Sequence, residues 1–191
     1  MRPGIVIVAL WIGWVLSWVL AAAWSNRTER RPAFATEIGY RIPLIGGALL
    51  MFPPAHGYEG RLRLWHVGWV GAWVCVAGVA LGIAVAWWAR LYLGPLWSSR
   101  ITRKSDHRVV DSGPYALVRH PIYSGLLLSL LFTAVAKGTL LGVGGFALLL
   151  AGMWMKARQE EAWLSQQLGE SAYADYRKRV PMLLPFRLKG R

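Results

Sequence analysis

Between two long apolar segments the chain reads Asp111-Ser112-Gly113-Pro114-Tyr115-Ala116-Leu117-Val118-Arg119-His120-Pro121-Ile122-Tyr123-Ser124-Gly125. Gly113-Pro114 predicts a turn, because this pair favours backbone angles that interrupt a helix. Pro121 suits the first turn of a new helix, where its missing N–H leaves no hydrogen bond unmade. The stretch therefore predicts that Arg119 and His120 lie just before a membrane-entering helix, at the level of the lipid headgroups.

The composition indicates a membrane protein. Of 191 residues, 55% are hydrophobic, 16% are charged and 12 are tryptophan, which argues against a water-soluble globule. The formal net charge of +13 lies in short loops between apolar runs, so the expected partner is an anionic membrane surface and not nucleic acid. Cys75 is the single cysteine, and the four histidines lack H-x-x-H spacing, so we expect no disulfide and no metal site.

Five apolar segments predict an all-α integral membrane protein with about five transmembrane helices. They are residues 4–24, 38–54, 64–89, 121–136 and 139–155. The first is long enough to cross about 30 Å of hydrocarbon. Its alternative, a cleaved signal peptide, is disfavoured by the arginines that follow it at once. The second contains Arg41 and Pro43, and is either a short, tilted crossing or a re-entrant segment.

The second half of the chain carries the polar segments. Residues 93–119 form an extended connector, and loops of this length in compact proteins are usually functional or disordered. A helical hairpin is expected to turn at Lys137-Gly138, and an amphipathic helix is expected from Lys156 onward. We expect one membrane domain over residues 1–191. Its parts are the N-terminal spans (1–93) and a cofactor-binding connector, hairpin and C-terminal helix (94–191).

The basic residues predict an orientation. With five spans, 18 of the 22 lysines and arginines fall on one side of the membrane. Cytoplasmic loops are enriched in these residues, so we expect the N-terminus outside and the C-terminus and active site in the cytoplasm, in the cell inner or plasma membrane. The connector and the acidic helix would then share one face.

The signature resembles that of a known enzyme family. Gly113-Pro114-Tyr115, followed by Arg119-His120-Pro121-x-Tyr123-x-Gly125, is similar to the isoprenylcysteine carboxyl methyltransferases and phospholipid methyltransferases, which are integral-membrane enzymes. The similarity covers residues 94–188 and includes Glu160-Glu161-x-x-Leu164 and Arg179-Val180-Pro181. It implies that S-adenosyl-L-methionine is the cofactor. By the same resemblance its contacts would be His107, Val109, Val110, Tyr115, Arg119, His120, Pro121, Tyr123 and Glu160.

The resemblance also implies a basic residue that orients the acceptor shortly before a glutamate. The candidate catalytic residues are Arg158, Lys156 and Glu161. The choice between the glutamates stays open, because a helical wheel turns Glu161 toward the apolar stripe whereas the family pattern favours Glu160. The alternative is a solvated face, since Lys156–Glu160 and Arg158–Glu161 have the spacings of surface ion pairs.

The resemblance implies carboxyl O-methylation of a lipid-like, isoprenylcysteine-type substrate drawn from the bilayer. The alternatives are a phospholipid N-methyltransferase, an NADPH-dependent sterol-type reductase with a similar Arg-His-Pro-x-Tyr segment, and a small structural or transport membrane protein. No glycine-rich turn after a strand is present, which argues against a Rossmann-type methyltransferase.

Overall fold

The computed structural model describes residues 1–22, 34–52, 62–94, 110–168 and 170–186, and within them the chain is all-helical, as predicted. The helices are α1 (Pro3–Ala22), α2 (Phe34–Met51), α3 (Trp69–Leu93), α4 (Pro114–Leu117), α5 (Pro121–Lys137), α6 (Leu140–Leu168) and α7 (Glu170–Arg179). Of the expected site residues, His107 and Val109 lie outside the described residues.

The five long helices pack side by side in the order α1, α3, α5, α6, α2. Helices α3 and α5 are antiparallel: Gly78 lies against Phe132, and Gly82 against Ser129. Helices α2 and α6 form a second antiparallel pair, in which Gly47 faces Leu149. Glycines at these contacts let the backbones approach closely, as is common between membrane helices.

The third helix includes Arg90, so it ends later than the sequence predicted. That helix was predicted over 64–89, but it begins at Trp69 and continues to Leu93. Arg90 is fully buried, and its guanidinium donates hydrogen bonds to the carbonyls of Ala21 (2.8 Å) and Gly94 (2.7 Å). These carbonyls lie at the C-terminal ends of α1 and α3, where helices leave acceptors unpaired. The charge therefore joins two helix ends and does not stop the helix.

The predicted hairpin is confirmed. Helix α5 ends at Lys137, and Gly138 takes the left-handed conformation (φ 59°) that glycine adopts without a steric penalty. The helix expected from Lys156 onward is present, and it continues the last apolar segment without a break, because α6 runs from Leu140 to Leu168. No glycine or proline occurs between Met153 and Leu168, so nothing in the chain ends the helix where its surface becomes polar.

Among the residues that the structure describes, three helices are long and apolar enough to cross a membrane: Pro3–Ala21, Trp69–Leu93 and Leu140–Gln166. The chain is therefore an integral membrane protein. Helix α5 is a shorter apolar helix of 17 residues. Helix α2 runs alongside α6 without folding back, which does not fit a re-entrant loop. Five crossings stay a prediction, as does the division of the domain at residue 93.

Adding one methyl group at the α3–α5 contact should destabilise the protein. A Cβ atom at Gly82 would collide with Ser129 and with the backbone carbonyl of Gly125, whereas a Cβ at Gly13 would have no neighbour within 4 Å. We expect Gly82→Ala to cost about 1–3 kcal/mol and to lower the thermal midpoint in detergent. Gly13→Ala is the matched control and should leave it nearly unchanged. Equal midpoints for the two variants would contradict this packing.

Candidate active site

The signature stretch forms the short helix α4 and the start of α5, and Arg119 and His120 lie between them. Gly113 (φ 58°) precedes Pro114, the first residue of α4, and Pro121 is the first residue of α5. Arg119 and His120 fill the gap between the helices, and their backbone N–H groups donate to the carbonyls of Pro181 (2.8 Å) and Met182 (3.1 Å). Segment 180–182 therefore holds Arg119 and His120 in place. Both residues lie just before α5, which is the position that the sequence predicted for them.

A buried ion pair joins this turn to α6. Arg119 donates from Nε to Oε1 of Glu161 (2.7 Å) and from Nη2 to Oε2 (3.1 Å), so the contact is bidentate. Its Nη1 donates to the backbone carbonyls of Val180 and Arg177. Glu161 is only 2% exposed, and Arg177 Nε lies 3.5 Å from its Oε2. One guanidinium thus connects α5, α6 and the segment that ends α7.

The neighbouring carboxylate, Glu160, faces a different set of groups. The hydroxyl of Tyr123 donates to its Oε1 (2.7 Å), and Lys156 Nζ lies 3.9 Å from the same oxygen. His120 bridges the two glutamates, with Nδ1 3.5 Å from Glu160 Oε2 and Nε2 3.2 Å from Glu161 Oε1. The rings of His120 and Tyr123 are parallel within 4°, with centroids 5.5 Å apart.

Burial and charge act in opposite directions on His120. Burial lowers the pKa of its imidazole, but the hydrogen bonds to Glu160 and Glu161 outweigh this effect, and the net pKa is raised. The two carboxylates therefore favour the imidazolium. Burial also raises the pKa values of the Tyr115 and Tyr176 phenols, which remain hydrogen-bond donors. Tyr176 donates to the carbonyl of Tyr115 (2.7 Å) and ties α7 to α4.

The structure brings six of the twelve expected site residues together. We call the set Arg119, His120, Tyr123, Lys156, Glu160 and Glu161 the polar cluster. Pro121 is buried beneath it, and Tyr115 is buried one layer away, with its hydroxyl 3.5 Å from the Ala89 carbonyl. Val110 is half-buried at the start of a described range.

Arg158 does not join the polar cluster. It is exposed, with its guanidinium carbon 5.5 Å from the ring centroid of Trp154. Arg158 and Trp154 are four residues apart and so share one helix face, whereas Lys156 and Glu160 share another. Within the described part of the chain, no hydrogen bond or ion pair links Arg158 to a glutamate, so the Arg158–Glu161 surface pair of the solvated-face alternative is not formed.

Three features next to the polar cluster were missed from the sequence. Tyr40 of α2 contacts Lys156, and Arg177 reaches Glu161. A hollow of about 310 Å³, open to solvent, lies beside Arg119 and is lined by Arg119, Ala174, Arg177 and Lys178. Polar residues inside the weakest apolar segment were the available signal for Tyr40. Only the repeated basic residues of α7 pointed to Arg177.

Comparison with known proteins identifies relatives over the same region. The model of the isoprenylcysteine carboxyl methyltransferase family matches residues 73–166, which include the whole polar cluster. A probable protein-S-isoprenylcysteine O-methyltransferase of Oryza sativa subsp. japonica is 30% identical over 138 residues, covering 72% of this chain and 68% of the relative.

Two further relatives match over shorter shares of their length. The protein-S-isoprenylcysteine O-methyltransferase of Schizosaccharomyces pombe is 38% identical over 84 residues, 44% of this chain and 35% of that protein. The cobalt-zinc-cadmium resistance protein CzcN of Cupriavidus metallidurans is 30% identical over 128 residues, 63% of this chain and 55% of that protein. The chain thus spans about half or less of the length of these two curated relatives.

Removing the charge of Glu161 should destabilise the fold. Glu161→Gln leaves Arg119 buried without its counter-charge, and breaking a buried pair from one side costs about 3–5 kcal/mol. The matched control is Asp175→Asn, because Asp175 is largely exposed and its ion pair with Lys178 is a surface contact that contributes about 0–1 kcal/mol. Thermal unfolding in detergent compares the two. A smaller loss for Glu161→Gln than for Asp175→Asn would refute the role of this ion pair.

Proposed function

We propose that this chain, which belongs to the isoprenylcysteine carboxyl methyltransferase family, transfers a methyl group from S-adenosylmethionine to the carboxylate of a membrane-embedded, isoprenylcysteine-type acceptor. The observation that carries the proposal is the polar cluster. It consists of two carboxylates, a lysine and a stacked histidine–tyrosine pair, and it lies between the N-terminal end of α5 and the C-terminal half of α6. All of these residues fall inside the region that the family model matches.

The chemistry of the polar cluster fits the cofactor. Glu160 is the more accessible of the two glutamates, and we assign it to the ammonium or ribose hydroxyls of the cofactor. The parallel rings of His120 and Tyr123 offer an aromatic surface to the nucleoside. In the hollow beside Arg119, the cations of Arg177 and Lys178 suit the cofactor's carboxylate. When bound, S-adenosylmethionine supplies the methyl group on a positively charged sulfur.

Lys156 is assigned to the acceptor. A carboxylate with a pKa near 4 is ionised at neutral pH, so it needs positioning and not a general base. Lys156 points into the polar cluster, whereas Arg158 points away from it. We therefore assign the ammonium of Lys156 to orient the acceptor carboxylate.

Arg119 and Glu161 are assigned as positioning residues. Their polar atoms already bind each other, and Arg119 also binds the backbone at Val180. Because this pair fixes the distance between α5 and α6, it sets the separation of His120 from Glu160. In this proposal Arg119 acts on the cofactor through the geometry that it imposes.

We also propose the orientation that the basic residues favour. The C-terminal ends of α1 and α3 meet at Arg90, and the N-terminal ends of α2 and α5 lie at the polar cluster. The hydroxyl of Tyr115 lies 3.5 Å from the Ala89 carbonyl, which links these two groups of ends. The stretches 26–41 and 90–119, which join these ends, hold 10 of the 22 basic residues, and residues 156–191, which begin in the polar cluster on α6, hold another 8. This side of the bundle is therefore proposed to be cytoplasmic, with five crossings.

Ligand binding and single-turnover methyl transfer test the function. In detergent, the protein should bind S-adenosylhomocysteine and not NADPH, and Glu160→Gln should weaken that binding. Lys156→Ala should spare cofactor affinity but reduce methyl transfer to an S-farnesyl-cysteine acceptor by about 10- to 150-fold, the equivalent of one charge-assisted hydrogen bond. Arg158→Ala is the matched control and should change neither quantity.

Two outcomes would replace this function. Binding of NADPH without S-adenosylhomocysteine would favour the reductase alternative. Methylation of a phospholipid amine, with the S-farnesyl-cysteine carboxylate left unmodified, would favour the phospholipid N-methyltransferase alternative.

Reporter fusions test the orientation. Fusions after Trp24, Tyr58, Pro95, Lys137 and Arg191 should report inside, outside, inside, outside and inside, because the basic loops stay in the cytoplasm. An external signal after Pro95 would overturn both the orientation and the cytoplasmic active site.

A further inference from the structure

Helix α2 places an aromatic residue beside the polar cluster. Tyr40 is 4% exposed, and its ring centroid lies 5.9 Å from the Nζ of Lys156 on α6. A Cβ atom at Gly39 would lie 3.6 Å from the end of Met155, so the backbone of α2 comes close to α6 at this level. Tyr40 lies outside residues 73–166, the region that the family model matches.

Two aromatic rings flank the ammonium of Lys156. The ring centroid of Tyr123 on α5 lies 5.4 Å from the same Nζ, so both rings are within the roughly 6 Å over which a cation is attracted to an aromatic face. Glu160 Oε1 lies 3.9 Å away, farther than a hydrogen bond. Two aromatic rings and one carboxylate therefore surround the ammonium of Lys156.

Two charged residues of α2 lie close to Tyr40 in the chain and pair with each other. Glu37 is buried one turn before Tyr40, and its carboxylate forms an ion pair with Arg41 on the same helix. The charge of Glu37 is thus balanced within α2. Helix α2 presents the ring of Tyr40 to Lys156.

We infer that Tyr40 is a positioning residue for the acceptor, which it serves by holding the ammonium of Lys156 toward the acceptor carboxylate. This inference rests on the proposed function and adds α2 to a site otherwise built from α5, α6 and the C-terminal segment. A long lysine side chain has many conformations, and the two rings restrict it to those that face the polar cluster. The ring of Tyr40, and not its hydroxyl, carries the effect.

Substitutions at position 40 separate positioning from simple packing. Tyr40→Leu should raise the KM for S-farnesyl-cysteine by about 2- to 30-fold, the range expected for one cation–π contact. The Kd for S-adenosylhomocysteine should not change. Tyr40→Phe keeps the ring and should behave as the unmodified protein. Trp69→Leu is the control, because Trp69 is an exposed aromatic residue at the start of α3, at the opposite end of the bundle.

A double-mutant cycle makes the test specific to Lys156. In a Lys156→Met background, Tyr40→Leu should change acceptor binding by less than about 2-fold, because the cation is gone. Binding of S-farnesyl-cysteine in the presence of S-adenosylhomocysteine supplies a readout that needs no turnover. If Tyr40→Leu does not fold, trifluorophenylalanine at position 40 keeps the shape of the ring while weakening its negative face, and should raise the same KM.

The outcomes separate this inference from the function itself. Equal effects of Tyr40→Leu with and without Lys156, or normal acceptor binding in the fluorinated variant, would overturn the role of Tyr40 while methyl transfer persists. Absence of both cofactor binding and methyl transfer in the unmodified protein would instead reject the proposed function, and the inference with it.

Discussion

The bidentate pair between Arg119 and Glu161 is the contact on which the arrangement of the site depends. It is buried, and two charges removed from water are stable only if each finds its full set of partners. Arg119 meets this condition by binding Glu161 and two backbone carbonyls of the chain that follows α6. The pair therefore fixes α5, α6 and the C-terminal segment in one relative position, and the neighbouring His120 and Glu160 inherit that position.

Close helix packing makes this geometry reachable. The glycines at the α3–α5 and α2–α6 contacts leave room for backbone against backbone, so the polar ends of the helices converge. At the same end of the bundle, Arg90 satisfies carbonyls of both α1 and α3. The two parts of the bundle are thus stabilised differently. The apolar part depends on close packing of complementary shapes, and the polar end depends on paired charges and on hydrogen bonds to backbone carbonyls.

Much of this arrangement could be read from the sequence. The apolar segments gave the long helices, Pro121 marked the start of α5, and Gly138 marked the hairpin turn. Six of the twelve expected site residues meet in the polar cluster because short motifs carry their own local geometry. The failures concern long-range contacts. From Lys156 onward the pattern predicted a helix lying on or leaving the membrane, and the change to a polar surface did not show that this helix continues the last apolar segment without a break. Tyr40 is separated from Lys156 by more than one hundred residues, and no local pattern reports such a contact.

The unbroken course of α6 has a mechanical consequence. Twenty-one residues separate Leu140, at the hairpin turn, from Glu161, a distance of about 31 Å at 1.5 Å per residue. This length is close to the hydrocarbon thickness of a typical bilayer, about 30 Å. The unbroken helix thus sets a fixed distance between the hairpin turn and the charged groups. In a thinner or thicker bilayer, either the helix must tilt or the lipid must deform. Either response changes the depth of the carboxylates relative to the headgroups.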